Sequence, residues 1–288
     1  MKANAVKETV MKAVFFIAAC ASVLAVILIC VFLFAGGVPA IKKIGAFDFL
    51  LGKTWKPGNN LYGILPMISG SVCVTGGAIV IGVPIAILTS VFMSYFCPKK
   101  LYKIMHSTIN LMAGVPSVVY GFFGLVVLVP SVKKTLAIPN GNTMLTASVL
   151  LAIMILPTVA GVAESALQSV PGSYYEGALA LGATHTQSVF FAVVPAAKSG
   201  IAAGIILGTG RAIGETMAVI MVAGNQPRMP QGLLKGARTM TSNIVLEMGY
   251  ATDLHREALI ATGVVLFLFI LVINLILAVI NRRAEHES

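Results

Sequence analysis

Apolar residues occupy long unbroken runs along this chain, and charged residues collect between the runs. The first run, residues 13–35, has Ser22 as its only clearly polar member. A helix rising about 1.5 Å per residue crosses the hydrocarbon core of a bilayer in about 20 residues, so this run suffices for one crossing. Five further runs follow at about 66–96, 109–130, 145–163, 199–224 and 258–280. Barrel strands are short and alternate in polarity, whereas these runs are long and even. Lipid supplies no hydrogen-bond partners, so each crossing must close its own backbone bonds as a helix. The pattern predicts an all-α, polytopic membrane helix bundle with about six transmembrane helices. Residues 1–12 form an N-terminal segment, 36–65 a loop, 66–281 a transmembrane domain with a long loop at 164–198, and 282–288 a tail.

Lys2, Lys7 and Lys12 before the first run invite a second reading, a cleaved signal peptide. A signal's apolar region is about 7–15 residues, shorter than this run, which is therefore expected to remain as a membrane anchor. Pro66, Pro84, Pro116, Pro130 and Pro157 fall within or at the ends of the runs. In lipid such residues are tolerated where neighbouring helices satisfy the freed backbone groups, and they permit kinks and close contacts. Helices bent this often suit a moving pathway better than a static anchor.

Only 10% of the residues are charged, against about 25% in a soluble domain. The net charge of +10 would suggest nucleic acid in a soluble protein. Placed between membrane helices, it serves topology and the attraction of anions. Six crossings put both termini on one side, and Lys2, Lys7, Lys12, Arg282 and Arg283 suggest that this side is the cytoplasm. The whole count discriminates weakly, with nine Lys/Arg on that side and ten on the other. The ten face only Asp48, Glu247, Asp253 and Glu257, so the outer loops carry a net +6. Such a field would concentrate an anionic solute or favour an acidic partner. The alternative is an ordinary solvated loop surface.

The loop 164–198 is too weakly apolar to cross. Ser173 and Glu176 have the spacing of a capping box, a helix is expected through Ala178–Leu181, and Gly182 suits a left-handed close. A second short segment runs to Pro195. In the fifth run, Arg211 and Glu215 sit at mid-depth, where a charge costs at least about 2.5–3.5 kcal/mol on insertion scales. Their i,i+4 spacing predicts an ion pair. Gly200, Gly204 and Gly208 share their helix face, which should let another helix approach closely and turn the pair toward the bundle interior. There the forked donors of Arg211 would offer an anion a foothold, and Glu215 would hold Arg211 in place. The other reading is an interhelical staple that touches no solute. Glu164 and Asn274 are weaker pathway candidates.

Other chemistries find little support. Gly52-Lys53-Thr54 imitates the end of a nucleotide-binding loop, but Phe47 stands where its first glycine belongs. Cys20, Cys30, Cys73 and Cys97 lack redox or metal spacing, and His106, His185, His255 and His286 are scattered, so neither a metal nor another cofactor is expected. No nucleophile stands near a base as in an intramembrane enzyme. An ion-coupled secondary transporter would be expected to show internal repeat symmetry.

Glu176-Gly177-Ala178, then Gly182, then Pro195 resembles the EAA loop of ABC-importer permeases, with Gly177, Ala192 and Val194 departing from its pattern. Two longer stretches, residues 113–124 and 210–219, resemble the phosphate-importer permeases of the PstC type. Ile155-Leu156-Pro157-Thr158 and Arg238-Thr239-Met240-Thr241 also fit, and the likeness runs from about residue 60 to 280. The resemblance implies a type I ABC importer permease fold in the cytoplasmic membrane and a cytoplasmic loop, 164–198, that couples to an ATPase through Glu176, Gly177, Ala178 and Gly182. It implies Arg211 and Glu215 as translocation residues for inorganic phosphate. It further implies a PstA-type partner permease, two copies of a PstB-type ATPase and an external phosphate-binding protein. Sulfate or molybdate would suit Arg211 equally on chemical grounds.

Overall fold

The computed structural model describes residues 2–286, leaving Met1, Glu287 and Ser288 outside the described residues. The first helix, α1 (Lys2–Ile44), is 43 residues long and passes through Pro39, Lys42 and Lys43, where a loop was expected from residue 36. Most of its apolar side chains, Phe15, Phe16 and Ile17 among them, are exposed. Contact with the last helix begins at Leu33 and Phe34, which meet Gly263 and Phe267, and tightens at Gly36 and Gly37 against Ile260 and Ala261. A Cβ on Gly37 would stand 2.9 Å from the Ala261 Cα, so this crossing depends on glycine.

After α1 come α2 (Ala46–Leu51) and a small hairpin, β1 (Trp55–Lys56) with β2 (Leu61–Tyr62), paired antiparallel with Trp55 opposite Tyr62. Helix α3 (Leu65–Val91) leads from the hairpin and ends in a π turn, Phe92–Phe96. Its main partner is α7 (Met144–Gln168), and their contact forms the largest buried cluster, including Val74, Ala78, Leu150, Leu151, Met154 and Ile155. Lipid tails are as apolar as these side chains, so packing rather than water exclusion drives the association. Small residues make it close: Gly77 faces Ser148, Gly82 faces Ala152, and the Ser148 hydroxyl donates to the Val74 carbonyl at 3.0 Å.

The run at 109–130 does not form one helix. Helix α4 (Lys99–Gly114) stops, Val115 is extended (ψ 127°), and α5 (Ser117–Phe123) starts afresh after Pro116. Proline offers no N–H and bars its predecessor from helical geometry, which places the break. A π turn and α6 (Val129–Thr135) complete the crossing, Ser117–Thr135.

Beyond α7 lie α8 (Gly172–Ala180), α9 (His185–Ser188), a π turn at Val189–Val193 and α10 (Val194–Ala196). Helix α11 (Lys198–Gly214) then turns 68° from the preceding segment, His185–Ala196. Three elements close the chain: α12 (Met217–Val222), α13 (Met240–Met248) and α14 (Asp253–His286). Among the described residues five helices are long and apolar enough to cross a membrane, or six where the bent pair counts as one span. The bundle thus has a hairpin end, where β1, β2 and α13 gather, and a loop end carrying α8 and α9.

Candidate functional site

Arg211 and Glu215 do not pair, because the fifth run is not one continuous helix. α11 stops at Gly214, Glu215 is extended (ψ 132°), and α12 begins only at Met217. The Glu215 carboxylate explains the break. Its Oε1 accepts the backbone N–H groups of Thr216 and Ala218, each at 3.1 Å, capping α12 from in front. The Thr241 hydroxyl at the head of α13 donates to the Glu215 carbonyl at 3.0 Å. Arg211 lies in the last turn of α11, where the helix dipole favours a cation. Its Nη1 donates to the Thr158 hydroxyl of α7 at 3.1 Å. A neutral oxygen therefore holds a half-buried guanidinium in mid-bundle.

The α4–α5 break lies beside this one. Gly121 of α5 packs against Ala218 of α12, where an added Cβ would stand 2.9 Å from the Ala218 Cα. Tyr120 ties the two sides of its own break, donating to the Met112 carbonyl at 2.9 Å. Two interrupted helices thus meet at one level of the bundle. Irregular backbone at membrane depth persists only where protein or a water-filled path surrounds it.

Gly200, Gly204 and Gly208 all face α7, meeting Ala166, Val162 and Val159 in turn. A Cβ on Gly208 would run into the Val159 side chain, which is stiff at χ1. Gly208→Leu should therefore separate α11 from α7 and draw Arg211 away from Thr158, costing about 1–3 kcal/mol by overpacking. Thermal unfolding in detergent measures that loss, and an unchanged midpoint would contradict this packing.

At the loop end Glu176 and Gly177 are exposed on α8 and Ala178 is half-buried. The expected capping box at Ser173 and Glu176 does not form. Pro171 occupies the N-cap, so Ser173 falls inside the first turn. The box appears eleven residues later, with Thr184 as N-cap and Gln187 reaching back. Gly182 takes the left-handed conformation at φ +88°. The Ala183 N–H to Ala178 carbonyl bond (3.1 Å) and the Gly182 N–H to Leu179 carbonyl bond (2.9 Å) close α8 as a Schellman motif. Glu164 is buried and accepts from Tyr102 (2.8 Å) and Gln168 (3.1 Å), stapling α4 to the end of α7. Asn274 lines an apolar groove of α14 and touches none of these groups.

The hairpin end holds a buried ionic cluster that the charge count along the sequence missed. Glu247 of α13 accepts from Trp55 Nε1 (2.8 Å) and His255 Nε2 (2.8 Å) and pairs with Arg238. Arg238 also donates to the Asn225 carbonyl and the Asn243 side chain, each at 3.0 Å. Burial pushes the Glu247 carboxyl upward, but the bonds from Trp55, His255 and Arg238 and the charge of Arg238 outweigh it. The net result is a value below the ordinary one. Arg238 and Glu247, counted as solvated loop charges from the sequence, are internal. The available signal was the chain's single tryptophan in a polar loop and a lone glutamate in the apolar pattern of α13.

Helices interrupted at a shared level, in a bundle of five or six candidate crossings, suit a membrane transport protein. Residues 78–286 match the family described as binding-protein-dependent transport system inner membrane component. The chain belongs to this family, the permease subunits of ABC importers, and has their type I fold. A probable ABC transporter permease of Bacillus subtilis, YqgH, is 37% identical, the alignment covering 90% of this chain and 87% of the relative. The phosphate transport system permease protein PstC of Mesorhizobium japonicum is 33% identical over 89% of this chain and 84% of its own. Among solved structures, a bacterial alginate ABC transporter in complex with a pentasaccharide-bound periplasmic protein matches with TM-score 0.65 at 18% identity. That match covers 93% of this chain and 94% of the other.

Proposed function

We propose that this permease subunit forms, with a PstA-type permease, the path by which inorganic phosphate enters the cell. A phosphate-binding protein delivers the anion outside, and a dimer of PstB-type ATPases drives the cycle inside. The loop end faces the cytoplasm on this reading, with both termini, and the hairpin end faces outward. Relatives named as phosphate permeases support the substrate.

The observation that carries the reading is that, among the described residues, Arg211 pairs with Thr158 alone. A guanidinium has five N–H donors, and a neutral hydroxyl neutralises none of its charge. An arriving phosphate meets a fork already aimed and need not break an ion pair. Glu215, committed to the amides of α12, does not compete for Arg211, yet its negative charge nearby keeps the anion from binding too tightly to leave. Rearrangement at the two helix breaks would alternate access to this point.

ATP-dependent uptake of labelled phosphate into proteoliposomes, with the partner permease, ATPase and binding protein present, tests the substrate. Uptake should persist in excess sulfate or molybdate. Transport of either competitor without phosphate uptake would leave the ABC architecture standing and remove the phosphate assignment.

A further inference from the structure

Helix α8 buries none of its residues, so whatever it receives must leave through few contacts. Besides the packing of Tyr175 on the apolar cluster of Leu167, Val189 and Val193, the polar contacts of α8 with its neighbours meet at one side chain. His185, first residue of α9, places Nε2 3.2 Å from the Tyr95 carbonyl and Nδ1 2.7 Å from the Tyr175 hydroxyl. A carbonyl only accepts, so Nε2 carries the proton, and in the neutral ring Nδ1 accepts from the tyrosine. The imidazole also lies 4.7 Å from the Phe96 ring, centroid to centroid, and Tyr175 lies 6.0 Å from Tyr95. The Tyr95 hydroxyl in turn donates to the Leu167 carbonyl at the end of α7 (3.3 Å).

We propose that His185 is the positioning residue that transmits movement of the 164–198 loop to the second crossing, α3. The inference rests on reading that loop as the ATPase-coupling element. Tyr175 brings in α8, His185 brings in α9, and Tyr95 and Phe96 form the π turn ending α3. Its wider π geometry and the π turn at Val189–Val193 flank the joint, a form often found where helices must yield. From there α3 runs the length of the bundle to the hairpin end. Gly70 packs on the Arg238 carbonyl, and the Ser71 hydroxyl accepts the Met240 N–H at 3.0 Å. Met240 is followed by Thr241, whose hydroxyl holds the Glu215 carbonyl at the break beside Arg211. A push on α8 thereby reaches the translocation point through one helix and four hydrogen-bonded contacts.

The test measures phosphate transported per ATP hydrolysed in the full reconstituted complex. His185→Ala should leave ATPase co-purification and basal hydrolysis close to wild type while the transport-to-ATP ratio falls about tenfold. Tyr175→Phe should lower the same ratio, and the double variant should be no worse than His185→Ala, because both act at one joint. His185→Gln, which keeps a donor for Tyr95, should recover part of the ratio and serves if the alanine variant misfolds. An unchanged ratio in folded His185→Ala and Tyr175→Phe overturns the inference, as does loss of the ATPase from the complex, which would make His185 a docking residue. If the ATPase still co-purifies with the Gly182→Pro complex and its hydrolysis stays substrate-stimulated, the coupling-loop reading itself fails.

Discussion

Replacing Arg211 by glutamine is expected to abolish phosphate uptake while the complex still assembles. On the proposed reading, two charge-assisted bonds from the guanidinium to the anion would contribute about 1.5–3 kcal/mol each, so uptake at limiting phosphate should fall by at least about 100-fold. Folding should survive. Glutamine is neutral, removes a charge from the bundle interior, and can still donate to the Thr158 hydroxyl. Arg211→Lys keeps the charge without the fork and should retain a small part of the rate. Uptake kinetics together with co-purification of the other subunits measure both halves of this expectation. Normal uptake by Arg211→Gln would remove Arg211 from the pathway and leave it a staple to α7.

The second large effect is on stability. Glu247→Ala takes away the acceptor shared by Trp55, His255 and Arg238, and it leaves a guanidinium whose side chain is only 13% exposed without its counter-charge. Breaking a buried pair from one side costs about 3–5 kcal/mol. Unfolding in detergent should show that loss, and Arg238→Met in the same chain should restore part of it, since replacing a whole buried pair by apolar residues is far better tolerated. The sign with pH follows from the lowered Glu247 value. Its stabilisation is fully present above the unfolded glutamate value of about 4.3 and is lost as pH falls through the lower folded one. The wild type should therefore lose more stability than Glu247→Ala on acidification below that value. Equal acid sensitivity of the two would mean that Glu247 is not the group responsible.

The crossings at 66–96 and 145–163 were legible because lipid imposes one strong rule, and hydropathy reads that rule directly, whereas the runs at 109–130 and 199–224 conceal breaks. Residues 145–163 sit inside Met144–Gln168, and 66–96 inside the helix and π turn of α3. Gly182 was legible for a comparable reason, since only glycine takes φ +88° at no steric cost. The break at Glu215 was not. Hydropathy averages over it, and a carboxylate able to cap the next helix looks the same in sequence as one able to pair with Arg211. The choice between them is made by Thr158, which lies 53 residues away in the chain. The Glu247 cluster was hidden by distance as well, for Trp55 stands 192 residues from its acceptor. Charges between apolar runs read as solvated until a fold brings them together.

A path for a solute through a membrane must not also be a path for the ions that hold the membrane's voltage. About 2.3 kcal/mol drives each unit charge across every 100 mV, and protons, sodium and potassium would follow any wet opening inward. Since Arg211 rests on a hydroxyl rather than a carboxylate, the empty path on the proposed reading keeps a fixed positive charge at its midpoint. That charge repels those cations whether the path faces in or out. The group that admits the nutrient is then also the insulation that lets the cell open the door without discharging itself.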